Sequence, residues 1–553
     1  MVADFNEENA VKQRRETLEF FRGKRVFITG HTGFKGAWLT KLLLDAGAIV
    51  VGYALEAPTD PSLYKLLGYD RYECEPDQIT DSEYDRTAEQ SHMDDSESDK
   101  ADDDESNQAD DDESDQVADG ESGRLYSVIG DIRDYSRLVS TFVAAQPEIV
   151  IHMAAQPLVR ESYRNPRYTY EVNVMGTVNI CECIRLYTET KKLMPETLTQ
   201  NIGVRSFLNV TTDKVYKQKK DLVLDETGNL KDLKLAYVET DELDGYDPYS
   251  NSKSCSELVT HSYINSYFID MGIPVSTARA GNVIGGGDFA ADRIIPDCVR
   301  AGIKSYEWSG DVAEQYAIRT NEREEILSGI RDAMSGSEGM VPDGMADDMC
   351  EDIKDSTIRK IMDESGEKPK IIVRNPFSIR PYQHVLEPLM LYLTIVKEQY
   401  ENPEKAGFYN IGPDEEDCIY TADLVHMFCK RWRYGLKWES HADGGLHEAL
   451  FLRLDNSLVK KTFGWKPVWN IERAVAETVK WSRQYLLARM VEQLPSSYLV
   501  RTNLEAGSKP GESEQEREDR NKEVQERYSE EARNIIDSEM SREIADFVDG
   551  DRQ

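Results

Sequence analysis

A glycine-rich turn, Gly30-His31-Thr32-Gly33-Phe34-Lys35-Gly36, lies between a short apolar run and an apolar stretch of helical period. The run before it, RVFITG (25–30), is too short for a helix and reads as a buried strand. After it, GFKGAWLTKLLLDAG places Trp38, Leu39, Leu42 and Leu43 at helical spacing, with Gly47 as the expected C-terminal cap. Strand, glycine turn and helix together let a backbone approach a pyrophosphate at a helix N-terminus. The pattern is GxxGxxG rather than GxGxxG. Further strands are predicted at 48–55, 126–132, 148–155, 206–212 and 274–285, with helical stretches between them. Such alternation specifies an α/β fold, a doubly wound, Rossmann-like parallel sheet with helices on both faces.

Length and charge organise the rest. The 553 residues carry a net charge of −37, of which −34 falls in 81–123, 303–367 and 495–553. A nearly neutral globular part thus bears three acidic attachments. The first, with its duplication ADDDESNQADDDESDQ, is too polar to offset its ordering entropy and is expected to be disordered. Scattered apolar residues in the second suggest short amphipathic helices. The third reads as charged helix, solvated or packed on a partner. The expected divisions are an extension (1–24), a nucleotide-binding domain (25–285), a smaller C-terminal substrate-binding region (286–492) and a tail (493–553). Overall acidity argues against nucleic acid and anionic membrane as partners. No apolar run is long enough to span a bilayer, and the N-terminus lacks a signal-peptide core. Eight cysteines are too few for a disulfide scaffold, Cys181 and Cys183 lack a second pair at zinc spacing, and no metal site is expected. A cytoplasmic protein with reduced thiols is the expectation.

Two groupings carry chemistry. Tyr249 and Lys253 form YxxxK at the start of a helix and share one face, where an ammonium favours the phenolate and makes tyrosine a usable base. Thr211-Thr212-Asp213-Lys214 ends the fifth strand, at the edge where such sheets meet ligands. A hydroxyl, a carboxylate and an amine there exceed what alcohol oxidation alone requires. The end of the second strand, near Ala54, has neither the acid nor the arginine that would separate NAD from NADP.

The stretches TGHTGFKGAWL (29–39), GDIRD (130–134), HMAAQPLVR (152–160), NVMGT (173–177), TTDKVY (211–216), YDPYSNSK (246–253), RAGNVIGGGDFAADRIIPD (279–297), RNPFSIRPYQHVLEP (374–388) and HEALFLRLD (447–455) are collinear. In them the chain resembles the extended short-chain dehydrogenase/reductases and, among these, the 4,6-dehydratases of CDP-glucose. The resemblance implies an NAD-dependent conversion of CDP-D-glucose to CDP-4-dehydro-6-deoxy-D-glucose and water. Tyr249 would take the 4-hydroxyl proton, and Lys253 would hold the nicotinamide ribose. Thr212 would bond the 4-oxygen, Asp213 would act as the acid on the 6-hydroxyl, and Lys214 would be the C5 base. That last role needs a neutral amine, which burial could provide. Cofactor residues carried over are Gly30, Gly33, Phe34, Gly36, Asp131, Ile132, Ala154, Ala155, Asn173, Asn282, Tyr249 and Lys253. Asn282, Arg293, Arg374, Arg380 and His384 are implied for the substrate, the arginines suiting a diphosphate. A homodimer is implied as well. The other readings are a dehydratase of UDP-N-acetylglucosamine or of a dTDP or GDP sugar, a 4-epimerase, and a non-catalytic scaffold. Asp213-Lys214 argues against the epimerase, and the full set of side chains against the scaffold.

Overall fold

The computed structural model describes residues 7–79, 123–193, 203–219, 236–306, 369–433, 435–441, 451–492 and 514–550. Nearly all of the acidic tract 81–123, most of 303–367 and Glu448 of the HEA stretch lie outside them.

Helix α1 (Glu7–Phe20) precedes β1 (Arg25–Thr29), α2 (Phe34–Asp45) and β2 (Ile49–Ala54). Then come β3 (Arg124–Ile129), α3 (Tyr135–Ala145), β4 (Ile149–His152), α4 (Gly176–Leu193), β5 (Ser206–Thr212), α5 (Pro248–Tyr263) and β6 (Val275–Ala280). Strand β7 (Asn282–Ile284) follows a break at Gly281. Beyond the second acidic stretch lie β8 (Lys370–Val373), β9 (Ile379–His384), α6 (Leu386–Glu401), β10 (Phe408–Ile411), β11 (Cys418–Tyr420), α7 (Thr421–Trp432), β12 (Lys437–Ser440), α8 (Ile471–Glu492) and α9 (Glu514–Asp549).

Seven strands form one sheet in the order β10-β6-β5-β4-β1-β2-β3, every neighbour pair parallel. Alternation along each strand feeds two cores. Val26 and Ile28 face one cluster with Trp38, Leu39 and the α6 leucines, and Phe27 faces the other with Tyr53, Phe142 and Ile184. The strand order reverses between β1 and β4, which places the ligand crevice at their carboxyl ends. Smaller sheets, β11-β9-β7 and β12-β8, stand beyond β6.

Two features depart from the sequence reading. Residue 285 is not a spatial boundary, because β10 returns to pair with β6 (Phe408 beside Thr277) and α6 packs on the same sheet. The described part of the tail packs on its own chain rather than on a partner: from 514 it is helix α9, against α8. Ala532, Ile536, Met540, Ile544, Phe547 and Val548 are buried on one stripe of an otherwise charged helix. Its polar groups pin it to the earliest part of the chain. Arg14 Nε donates to Val548 O at 3.0 Å, and Lys41 Nζ lies 3.0 Å from Asp537. Cys181 and Cys183 are buried and unpaired in α4.

Candidate active site

The glycine turn closes on itself and leaves one face open. Gly30 has φ +82°, and a Cβ there would lie 2.9 Å from Ala154 N; at Gly36 it would lie 2.2 Å from Gly30 O. Gly33, at the N-cap of α2, would meet nothing nearer than 3.5 Å. Close approach of a phosphate to the α2 N-terminus is therefore built into these three positions, and a dinucleotide fits the cradle. Thr29 Oγ1 accepts from the backbone N–H of Met153 and Ala154 at 3.1 Å each and bonds His152 Nδ1 at 2.7 Å, which clamps the two strands at the switch. His31 faces inward, bonded to Ser127 Oγ at 2.7 Å, and burial drives it down to about 3, so it is neutral.

The other carried-over cofactor residues divide. Ala154 and Ala155 follow β4 directly beside the turn. Asn173 sits in a π-helical turn (Glu171–Met175), and its amide is used within the protein. Its Oδ1 accepts from Gln156 N at 2.8 Å and its Nδ2 donates to Ser252 Oγ at 2.9 Å, joining the β4 loop to α5. The Asp131 carboxylate is held by the Arg133 guanidinium at 2.7 Å, which lowers its pKa. Ile132 packs against Gly176.

Thr212 closes β5, and Asp213 and Lys214 begin the short turn after it. Thr212 Oγ1 donates to Asp213 Oδ1 at 3.0 Å, and Lys214 Nζ donates to the same oxygen at 2.7 Å. Lys214 Nζ also reaches Asn282 Oδ1 at 3.3 Å. Asp213 is 1% exposed, yet its Oδ2 is buried with no hydrogen-bond partner. Lys214 is not buried as the sequence reading expected. Its side chain is 25% exposed and ion-paired, since the turn carries it past the strand end.

Tyr249 stands in the first turn of α5, whose N-terminus Asp247 caps by accepting from Ser250 N. Its hydroxyl lies close enough to that of Thr212 for the two to interact. Burial pushes Tyr249 up to about 12; Thr212 and Arg293 pull it down, and Asp213 opposes them. The groups that favour the phenolate are thus Thr212 and Arg293, where the sequence pointed to Lys253. Lys253 Nζ donates to Val210 O at 3.0 Å, and burial brings it down to about 8 against the pull of Glu257.

Arg293 pairs with Asp288 at 3.3 Å and Arg374 with Asp292 at 2.9 Å. Arg374 lowers the Asp292 pKa, with Arg160 and Arg164 adding to the effect, so three arginines act on that carboxylate. The two in the short helix after β4 (Val159–Arg164) were not singled out from sequence, where nothing local sets them apart. Arg380 is buried and donates to Ile379 O at 3.0 Å. His384 is a correction. It is 0% exposed, its Nε2 is 2.7 Å from Glu543 of α9, and it packs against Trp38 and Trp469, which leaves it no face for a ligand. Lys35, also missed, lies one residue into α2, and burial, then Lys253 and Arg293, lower it to about 7. No helix among the described residues is long and apolar enough to cross a membrane.

The family described as GDP-mannose 4,6 dehydratase matches residues 98–304. In fold, the chain is similar to a UDP-glucose 4-epimerase of Stenotrophomonas maltophila (TM-score 0.51, 14% identity, 84% of this chain and 99% of that one). It is equally similar to an epimerase of Methanothermobacter thermautotrophicus (TM-score 0.51, 14% identity, 86% and 98%). A dTDP-glucose 4,6-dehydratase of Xanthomonas campestris is 31% identical over 31% of this chain and 42% of its own. The CDP-glucose 4,6-dehydratase of Salmonella typhimurium is 32% identical over 473 residues, 84% of this chain and 92% of that one. At that identity and coverage, the chain belongs to the CDP-glucose 4,6-dehydratase family of hydro-lyases, within the epimerase/dehydratases.

Proposed function

We propose that this protein dehydrates CDP-D-glucose to CDP-4-dehydro-6-deoxy-D-glucose. The observation that carries the reading is the junction of two sets in one place: Tyr249 beside Thr212, and Thr212 bonded to an Asp213 that also holds Lys214. A 4-epimerase needs only the first set. Gly30, Gly33 and Gly36 would hold the NAD pyrophosphate and Lys253 its nicotinamide ribose, and the bound cofactor would supply the acceptor and then the donor of one hydride.

The side chains divide the remaining work. Tyr249 Oη takes the proton of the sugar 4-hydroxyl as hydride leaves C4, and Thr212 steadies the 4-oxygen. The ion-paired proton passes from Lys214 Nζ to Asp213, and as the new ketone acidifies C5–H the neutral amine takes that proton. Asp213, now a carboxylic acid, gives its proton to the departing 6-hydroxyl, so water leaves as the C5–C6 double bond forms. Hydride then returns to C6 and a proton to C5. Arg293 and Arg374, with Arg160 and Arg164, face the diphosphate, which competes with Asp288 and Asp292 for them. Asn282 bridges Lys214 and the substrate region.

The test is turnover with CDP-, dTDP-, GDP- and UDP-glucose in parallel. Preference for CDP-glucose is the expected result, and a preference for another nucleotide overturns the assignment.

A homodimer through α4 and α5 belongs to the same proposal. Met175, Leu186, Leu258 and Tyr267 are exposed on and beside those helices, an apolar surface suited to symmetric pairing.

A further inference from the structure

We propose that Glu257, which touches no reacting atom, is a positioning residue. Its carboxylate locks the helix of Tyr249 and Lys253 to the strand end of Thr212-Asp213-Lys214 and places a negative charge one turn behind Lys253. The inference rests on the dehydratase reading for the roles of those five residues.

Glu257 is 0% exposed, and both of its oxygens are used. Oε1 accepts from Thr211 Oγ1 and from Arg279 Nε at 3.0 Å. Oε2 accepts from Thr277 Oγ1 at 2.7 Å and Arg279 Nη2 at 3.0 Å. Thr211 is the residue before Thr212, and Arg279 is its cross-strand partner on β6. Arg279, 1% exposed, continues the network by donating from Nη1 to Tyr216 Oη at 2.8 Å, and Tyr216 donates to Asn410 of β10. One carboxylate thus ties α5 to β5 and β6 at the level of the chemistry. A water-excluded ion pair is a costly way to hold three elements together if packing were all it had to supply.

The charges around Lys253 give the pair its second use. His152 of β4, neutral in its buried site, lies on one side. Lys35 of α2 is itself lowered by Lys253. Tyr249 and Glu257 share its helix. Burial lowers Lys253, and the nearby carboxylate of Glu257 raises it. On the far side Glu257 faces Arg279 and His261, whose Nε2 is 3.8 Å away and whose pKa burial lowers. Of the charged groups, the Glu257 carboxylate is the one that acts on Lys253, opposing its burial.

The experiment compares wild type, Glu257→Gln and Glu257→Gln/Arg279→Gln, the last leaving no unpaired buried charge. NAD affinity is measured by calorimetry from pH 6 to 9.5, with thermal stability alongside. In wild type the affinity falls through pH 8 as Lys253 loses its proton. In Glu257→Gln that fall moves down by about one unit, which costs roughly tenfold in affinity at pH 8.5 and less than about twofold at pH 6.5. The double variant regains stability and keeps the shifted fall. A wild-type profile flat through pH 8, a fall left in place in the double variant, or an equal loss at both pH values overturns the proposal. The NAD readout needs no sugar nucleotide, so a wrong substrate assignment fails separately, in the turnover comparison.

Discussion

In the proposed mechanism Lys214 is the residue on which the elimination turns, and its role can be separated by experiment from that of its ion-pair partner Asp213. Lys214→Ala is expected to complete hydride transfer from C4 and stop there, with reduced cofactor accumulating and little solvent deuterium entering C5. Asp213→Asn is expected to allow C5 exchange while the 6-hydroxyl stays. Both are read by C5 deuterium and reduced-cofactor absorbance after a single turnover, and wild-type exchange in Lys214→Ala removes lysine from the role. A third residue gives a pH signature. Glu387 Oε1 accepts from Val468 N and Trp469 N at 2.8 and 2.7 Å, its Oε2 has no partner, and burial raises its pKa to about 8. A carboxyl raised in the folded state holds a proton that the unfolded chain has lost, so its contribution to stability declines as pH rises from about 4.3 to 8. Glu387→Gln keeps the acceptor and removes the titration. Thermal melts should show a flatter decline between pH 5 and 8 than wild type, and an unchanged slope would count against the assignment. At this scale the sequence could group Tyr249 with Lys253, and Thr212 with Asp213 and Lys214, because each set is local in the chain. Glu257 and Arg279 were not legible, since their meaning comes from the register that sets Thr211 beside Arg279.

Elements were legible where one period dominated. The strands of the nucleotide half are continuous apolar runs, as buried parallel strands must be, and their positions were read to within a few residues. Strand β10 escaped notice because Phe408–Ile411 is four residues long and nothing beside it names β6 as its neighbour. Helix α9 was seen as helix, but its charge concealed the stripe of Ile536, Met540 and Phe547. That stripe leads to an expected outcome. Ile536→Ala and Met540→Ala, both at 0% exposure, should each cost about 2 to 4 kcal/mol in denaturant unfolding, with the substrate KM unchanged. A loss under about 0.5 kcal/mol would mean that the helix is not docked in solution.

On the scale of the whole molecule, the charge is concentrated in stretches separate in sequence from the site motifs. The tract 81–123 carries −17 and falls in the chain between β2 and β3. Replacing it with a short Gly/Ser linker should leave turnover near wild type, and loss of soluble, active protein would show a structural role. Light scattering at micromolar concentration should give twice the chain mass, and a monomer mass would count against pairing through α4 and α5. The order of synthesis adds a constraint of another kind. Lys41 of α2 is sealed by Asp537, and His384 by Glu543, so parts made earlier wait for a helix made much later. At ribosomal speeds of about 5 to 20 residues per second, the interval from α2 to α9 is roughly 25 to 100 seconds. Throughout it the growing chain exposes the apolar flank that α9 will cover, a window in which nascent-chain chaperones have a defined surface to shield.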